Sequence, residues 1–304
     1  FGGVQALNAV DFEVRAGEVH CLAGENGCGK STLIKVVTGV HQPESAELIE
    51  LFGTAVDRIN PVMARQMGVS VIWQDLALFP HMSVAENIAF DDLVGLRPRS
   101  VEYGEMIARS AEVLERLGVT MDLSAPLNDL PIAQRQVVAI ARALMNDAKL
   151  IFMDEPTASL TQSETDRLLD IVRKLSSDGV AIVFVSHRLA EVLDIAERVT
   201  VVRDGNLVGV YPTAGMTQAR LGELMTGHLI ENAVVARDLP DAPVVFEARD
   251  LSRHGEFSDV SLQIRAGEVL GLTGLIGAGR TELAHVMMGM RKSDAGAKTH
   301  NGAP

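Results

Sequence analysis

Gly24-Glu25-Asn26-Gly27-Cys28-Gly29-Lys30-Ser31-Thr32 is the stretch from which the rest of the chain can be read. It fits the pattern G-x-x-x-x-G-K-[ST], and it lies between an apolar run that reads as a strand, Val19 to Ala23, and a segment with helical spacing, Lys30 to Val37. Glycines let backbone N–H groups close around an anionic phosphate, Lys30 reaches the outer phosphates, and the Ser31 hydroxyl is a ligand for Mg²⁺. A helix opening at Lys30 adds the positive end of its dipole. The plainer reading, a Gly-rich turn that caps a helix, is disfavoured by the strand and helix on either side.

At 304 residues the chain is long enough for two domains or one large one, and 47% hydrophobic content argues against disorder. No apolar run approaches the roughly 18 residues that cross a bilayer, and Phe1-Gly2-Gly3-Val4 carries neither a basic region nor a cleavage site. A soluble chain that is not itself secreted is expected. The net charge of -13, without a basic cluster, disfavours a nucleic-acid surface. Cys21 and Cys28 are too few for a disulfide framework or a structural zinc site, which fits a reducing compartment. Cys28, inside the loop, reads as a small residue.

Outward from the loop, Asp11 to Val14 reads as a strand joined to Val19–Ala23 by the turn Arg15-Ala16-Gly17-Glu18, and Gly39 stops the helix. Val69 to Trp73 is a further strand, ending at Gln74. From about 75 to 130 the pattern becomes helical, with Val84 to Phe90 and Val101 to Leu117 the clearest helices and Pro80, Pro98 and Pro126 in the connections. Next come a helix from Ala133 to Met145 and the strand Leu150 to Met153, with the acidic pair Asp154-Glu155 at its end. Thr161 and Glu164 form a capping box ahead of Leu168, Leu169, Val172 and Leu175 at helical spacing. Val180 to Val185 is a strand that delivers Ser186 and His187, a helix begins near Leu189, and Val199 to Val202 is a strand before the turn Asp204-Gly205. Alternating strands and helices imply an α/β fold with a parallel sheet flanked by helices, with function at the strand ends.

A repeat adds the domain organisation. Val14-Arg15-Ala16-Gly17-Glu18-Val19 returns as Ile264-Arg265-Ala266-Gly267-Glu268-Val269, an offset of 250. At the same offset Gly24, Gly27 and Gly29 become Gly274, Gly277 and Gly279, while Lys30 becomes Arg280 and Ser31 becomes Thr281. Two domains of one kind are expected: a first over 1–230, a linker over 231–243, and a second over 244–304 that is too short for a complete copy. The sequence is expected to be a fragment, cut inside the second domain and trimmed at its start.

Together these residues resemble the nucleotide-binding domains of ABC transporter ATPases, and the match runs the length of the chain in order. The resemblance implies a P-loop NTPase core with a parallel sheet flanked by helices, an antiparallel β subdomain and a helical insert at about 75–130. It implies ATP and Mg²⁺ as ligands. Residues 24–32 correspond to the Walker A loop. Asp154, at the Walker B strand end, would engage Mg²⁺ with Ser31 and Gln74, while Glu155 would orient the attacking water. In-line phosphoryl transfer needs both charge neutralisation and a positioned nucleophile, hence two acids. Gln74 resembles the Q-loop glutamine, which also signals to the membrane partner. His187, 32 residues after Glu155, resembles the switch histidine, and Phe1, 29 residues before Lys30, occupies the place of the adenine-stacking aromatic. Ala158-Ser159-Leu160-Thr161 corresponds to the D-loop, with Thr161 replacing the usual acid.

Leu130-Pro131-Ile132-Ala133-Gln134 stands where this family has LSGGQ. Pro131 lacks both the hydroxyl and an N–H, and Ile132 brings a Cβ where glycine allows close approach. Family sites combine the phosphate loop of one domain with the signature of the other, so this weak signature would face the Arg280 loop, whose guanidinium is no simple substitute for lysine. One competent and one degenerate site are expected. That asymmetry, together with Gln74-Asp75-Leu76, is similar to the twin-cassette ATPases of bacterial monosaccharide importers of the ribose, galactose, arabinose and xylose types. The resemblance implies a carbohydrate-importing ATPase peripheral to the cytoplasmic face of the inner membrane. A permease would dock on the helical insert, and a periplasmic binding protein would select the sugar or polyol. The rival, a soluble ABC protein acting on ribosomes or DNA, would bring a long charged linker or zinc cysteines, and this chain has neither. A nucleotide-binding regulator without turnover is disfavoured by Glu155 and His187.

Overall fold

The computed structural model describes residues 5–94, 102–228, 242–275 and 277–303, so Phe1 lies outside the described residues. The chain divides into two units, residues 1–230 and 231–304. In the first, the apolar run Val19–Ala23 forms β1 and Lys30–Val37 forms α1. A short hairpin of β2 (Glu50–Leu51) and β3 (Thr54–Ala55) follows, then α2 (Pro61–Gln66) and β4 (Val69–Ile72). Asn60 starts α2 by accepting the Met63 N–H at 2.9 Å. The helical insert comprises α3 (Val84–Ile88), α4 (Phe90–Leu93) and α5 (Tyr103–Leu117). Thereafter strands and helices alternate: α6 (Ile132–Met145), β5 (Leu150–Asp154), α7 (Gln162–Ser177), β6 (Ala181–Val185), α8 (Leu189–Ile195) and β7 (Arg198–Arg203). The unit closes with β8 (Asn206–Pro212) and α9 (Gln218–Thr226).

The sheet runs β4-β5-β6-β1-β7-β8, parallel throughout except for the antiparallel edge strand β8. Its register aligns Ile72, Met153, Phe184, Cys21 and Val199 in one row across five strands, all buried on one face. Leu22, Leu150, Phe152, Val183 and Val185 alternate with them and fill the other face, beside Ile34 of α1. Burial on both faces is why these strands read as apolar runs. No helix among the described residues is long and apolar enough to cross a membrane.

Three sequence expectations need correction. Asp11 to Val14 forms no strand, because nothing among the described residues pairs with it. The helix expected over Val84 to Phe90 ends at Ile88: Ala89, at φ -90° and ψ 12°, caps it and starts α4, its carbonyl accepting the Leu93 N–H at 3.2 Å. Val101 lies outside the described residues, and the helix it was to open begins at Tyr103. The capping box at Thr161 is present: the Glu164 carboxylate accepts the Thr161 N–H at 2.9 Å and its hydroxyl at 2.7 Å.

The second unit contains β9 (Val244–Arg253), β10 (Phe257–Arg265), α10 (Arg280–Met287) and β11 (Ala295–His300). Its strands form an antiparallel sheet of order β10-β9-β11 over a small core of Ala248, Leu251 and Val286. The repeat is visible in three dimensions. Glu18 accepts the Arg15 N–H at 2.8 Å, and Glu268 accepts the Arg265 N–H at 2.6 Å, each closing a turn through a left-handed glycine, Gly17 or Gly267. The environment differs: Val19 is buried between neighbouring strands, whereas Val269 is 96% exposed. Most of the linker expected at 231–243 lies outside the described residues.

At the N-terminal end of β1 the sheet buries a charged cluster. His20 lies 3.0 Å from Glu18 through Nδ1 and 2.7 Å from the Thr200 hydroxyl through Nε2, and Arg198 forks onto both Glu18 oxygens at 2.6 and 2.8 Å. Burial alone would push the Glu18 carboxyl up, but bonds from Arg198, the Arg15 N–H and His20 outweigh it and hold it at about 2. Burial pulls His20 below its ordinary value against the raising influence of Glu18. Both shifts leave the unfolded chain binding more protons in acid, so stability falls with pH, first through about 6.5 for His20 and then from about 4.5 towards 2 for Glu18. The Glu18 share is on the order of 3 kcal/mol. Urea midpoints measured from about pH 5 to pH 3 are expected to fall more steeply for the unaltered chain than for Glu18→Gln.

Candidate functional site

Four of the stretches that the sequence singled out, those with Gly24, Gln74, Asp154 and Ser186, end at the same edge of the sheet. From the aligned row, Gln74 is two residues beyond Ile72, Asp154 one beyond Met153, Ser186 two beyond Phe184, and Gly24 three beyond Cys21. Parallel pairing therefore collects the residues from four separate stretches of chain.

The loop after β1 is shaped by contact. A Cβ on Gly24 would lie 2.1 Å from the Val202 carbonyl oxygen and 2.5 Å from Cys28 Sγ, and one on Gly29 would lie 2.6 Å from the Ala6 carbonyl. Gly29, at φ 111°, then turns the chain into α1. Lys30 Nζ donates to the carbonyls of Gly24 at 2.8 Å and Glu25 at 2.9 Å, so its ammonium sits across the loop. Cys28 is buried, while Glu25, Asn26, Gly27 and Ser31 are exposed and Thr32 is half-buried. Neither the Ser31 hydroxyl nor the exposed Gln74 amide is bonded to another described residue, which leaves both available to a ligand.

At the end of β5, burial first and the neighbouring Glu155 second raise the Asp154 carboxyl above its ordinary range, against the opposing pull of Lys30. Glu155 takes φ 48°, and its N–H continues the ladder by donating to the Val185 carbonyl at 2.8 Å. Left-handed backbone at a residue with a Cβ is a local cost that active sites tolerate. Its carboxylate accepts from His187 Nδ1 at 3.0 Å. The acid and the histidine, 32 residues apart in sequence, are thus one hydrogen-bonded pair.

A sequence model of the ABC transporter family matches residues 7–158. The chain belongs to the ABC transporter family. It is 46% identical to the ribose import ATP-binding protein RbsA 1 of Rubrobacter xylanophilus, over 100% of this chain and 60% of that protein. It is 44% identical to the ribose import ATP-binding protein RbsA 2 of Streptomyces avermitilis, over 100% of this chain and 61% of that protein. The chain therefore spans about three fifths of the length of these relatives. Among solved structures, a nucleotide-free ATP-binding cassette from an ABC transporter superposes with a TM-score of 0.64 at 26% identity, covering 70% of this chain and 87% of the other.

The other stretches singled out in the sequence are placed each within its own unit. Leu130 is buried, Pro131 and Gln134 are exposed, Ile132 is 41% exposed and Ala133 half-buried. Pro131 takes the cap position of α6 at φ -58°, without a side-chain cap bond, so proline is structurally at home there. Arg135 supports the segment by donating to the carbonyls of Leu130 at 2.8 Å and Asn128 at 2.9 Å. The loop of the second unit repeats the glycine conformations, with φ 154°, 83° and 77° at Gly274, Gly277 and Gly279 against 156°, 82° and 111° at Gly24, Gly27 and Gly29. Even the close approach recurs: a Cβ on Gly279 would lie 2.5 Å from the Glu256 carbonyl, the residue 250 positions after Ala6. Arg280 and Thr281, which open α10, are both exposed.

One cluster escaped the sequence reading. Buried Glu191 on α8 accepts the Thr157 hydroxyl at 2.5 Å and Arg188 Nη1 at 3.0 Å, with the Ser186 hydroxyl at 3.5 Å, while Arg188 Nη2 donates to the Ala158 carbonyl at 3.3 Å. The chain after Glu155 is thereby tied to the residues flanking His187. The Arg188 and Glu191 spacing of i,i+3 was the available signal, but on its own it looks like any exposed helix pair. Glu191→Ala is expected to cost about 3 kcal/mol, because it leaves Arg188 half-buried without its partner, and Glu191→Gln less; chemical unfolding checks both. At the loop, Gly24→Ala is expected to cost about 3 kcal/mol through its clash with Val202, and Gly27→Ala, which has open space around it, only about 1 kcal/mol.

Proposed function

We propose that this chain binds and hydrolyses ATP as the energy-coupling part of a bacterial importer for a monosaccharide or related polyol. The observation that carries the hydrolytic reading is the Glu155–His187 pair across the ends of β5 and β6, at the same sheet edge as the glycine loop and Lys30 that follow β1. The import reading is supported by relatives named as ribose import ATP-binding proteins.

The chemistry follows from the residues. Backbone amides of Gly24 to Lys30 surround the phosphates, Lys30 neutralises charge on the outer ones, and Glu155 orients a water and receives its proton as that water attacks the γ-phosphate. His187, bonded to Glu155, holds the carboxylate in place and reaches towards the same phosphate. Ser31, Gln74 and Asp154 are the residues that would hold Mg²⁺. Their donor atoms are all hard oxygens, which suits that ion, and nucleotide and water would complete the shell. When bound, the ion neutralises phosphate charge and fixes the geometry of the transferred group.

The helical insert α3 to α5 would dock the membrane permease, which places the protein at the cytoplasmic face of the membrane, and a periplasmic binding protein would choose the sugar. The second unit is read as the start of a second cassette. Its loop keeps the glycine backbone but presents Arg280, and it would pair with the Pro131 signature to make a degenerate site. The Lys30 loop would make the competent one. Glu155→Gln in the full-length protein is expected to lower kcat for Mg²⁺-ATP by about a hundredfold or more while ATP affinity is retained. Turnover of Glu155→Gln at the unaltered rate overturns the assignment. Equally fast turnover by residues 1–304 alone and by the full-length protein overturns the composite, one-site reading. Co-purification with a permease, and ATP-dependent ribose uptake into vesicles, test the import role; co-purification with ribosomes would favour the soluble alternative.

A further inference from the structure

Directly after Gln74-Asp75, two consecutive residues with side chains, Leu76 and Ala77, hold left-handed backbone at φ 59° and 45°. Such a pair persists only where the surroundings determine it. Arg142 of α6 supplies that determination. Its Nη1 donates to the Ala77 carbonyl at 2.8 Å and its Nη2 to the Leu76 carbonyl at 3.1 Å, so one planar guanidinium grips two adjacent carbonyls. A lysine ammonium, with a single nitrogen, cannot reproduce that fork.

The grip is itself anchored. Asn146, one turn further along, donates to the Arg142 carbonyl at 3.0 Å and to Asp91 of α4 at 2.6 Å, and Asp91 also accepts Arg65 of α2 at 2.7 Å. The other end of the turn is held by fully buried Asn87, which accepts the Phe79 N–H at 2.8 Å and donates to its carbonyl at 3.0 Å. Residues 76–79 are therefore fastened by side chains of α3 and α6, while Gln74 itself stays exposed and unbonded to other described residues. The same α6 carries Ile132, Ala133 and Gln134 in its first turn, and Arg135 binds that turn to Leu130 and Asn128.

We propose that Arg142 is a positioning residue for Gln74: it locks the turn after β4 to the helix that begins in the signature segment, so that a displacement of the signature is delivered to Gln74 as the movement of one body. This rests on the reading of Gln74 as a ligand on the Mg²⁺ side of the nucleotide.

Trp73 is the single tryptophan and precedes Gln74, which makes the turn visible to fluorescence. Trp73 emission is followed in the purified chain, loaded with ATP and titrated with Mg²⁺, alongside amide hydrogen exchange of peptides covering 74–79. Arg142→Ala is expected to raise exchange in 76–79 by about tenfold and the Mg²⁺ half-saturation by about fivefold. ATP affinity in EDTA should stay within about twofold, since only the coupling of the turn is lost. Arg142→Lys, which keeps the charge and the packing of the stem, should fall between the two, and it serves as the test if the alanine variant folds poorly. Unchanged exchange in Arg142→Ala, or complete rescue by lysine, overturns the clamp. Gln74→Ala should shift the Mg²⁺ titration without changing exchange at 76–79. If it leaves the titration unmoved while Arg142→Ala still accelerates exchange, the metal-side reading of Gln74 is what has failed.

Discussion

Asp154 pairs with Val185 in a parallel register that the Glu155 N–H extends to the Val185 carbonyl, and the site depends on that pairing. A slip of one residue would send Asp154 to the opposite face of the sheet and part Glu155 from His187. The register is held by the apolar rows beneath it, where Met153 and Phe184 face one layer of the core and Phe152 and Val183 the other. Core packing and the placing of the Asp154, Glu155 and His187 side chains are in this sense one constraint. Side chains that exclude water also decide which carboxylate reaches the reaction edge.

The two glycine-rich loops separate what is local from what is not. Their first two glycines take closely similar backbone angles, the third pair differs at φ 111° and 77°, and each loop passes against a carbonyl 250 residues apart in the repeat, although one unit has a six-stranded sheet and the other a three-stranded one. The loop conformation is a property of its glycines and of the segment it crosses. Gly24 alone shows the sheet's influence: its missing side chain is filled by Val202 of β7, whereas Gly274 meets nothing closer than Ala278 Cβ at 3.3 Å. Residues such as Val269 show the same contrast in burial.

Charge is distributed at the two ends of the sheet for different ends. At one edge burial and the neighbouring Glu155 disfavour the ionisation of Asp154, and the ammonium of Lys30 pulls the other way. At the opposite end Glu18, His20 and Arg198 are closed into a fully bonded cluster with no access to a ligand. Between them, Glu191 and Arg142 hold turns to helices through bonds to backbone and hydroxyl groups, and so act on the site without belonging to it.

Apolar runs, capping residues and glycine spacing placed β1, α1, α6, β5 and α7 within a residue or so of where they fold, because each of those signals acts over one or two helical turns. Asp154, Glu155 and His187 were legible as polar residues at the ends of apolar strands. What sequence alone determined is that Gly24 to Thr32 is a glycine-rich loop between a strand and a helix, that Asp154-Glu155 and His187 stand at strand ends, and that a second glycine-rich loop follows at an offset of 250. The strand order, the antiparallel edge of β8, the absence of a strand at Asp11 to Val14, and the grips of Glu191 on Thr157 and of Arg142 on Leu76 and Ala77 were decided only in three dimensions. A strand exists only where a partner supplies hydrogen bonds, and a long side chain chooses its carbonyls only once distant segments have been packed beside it.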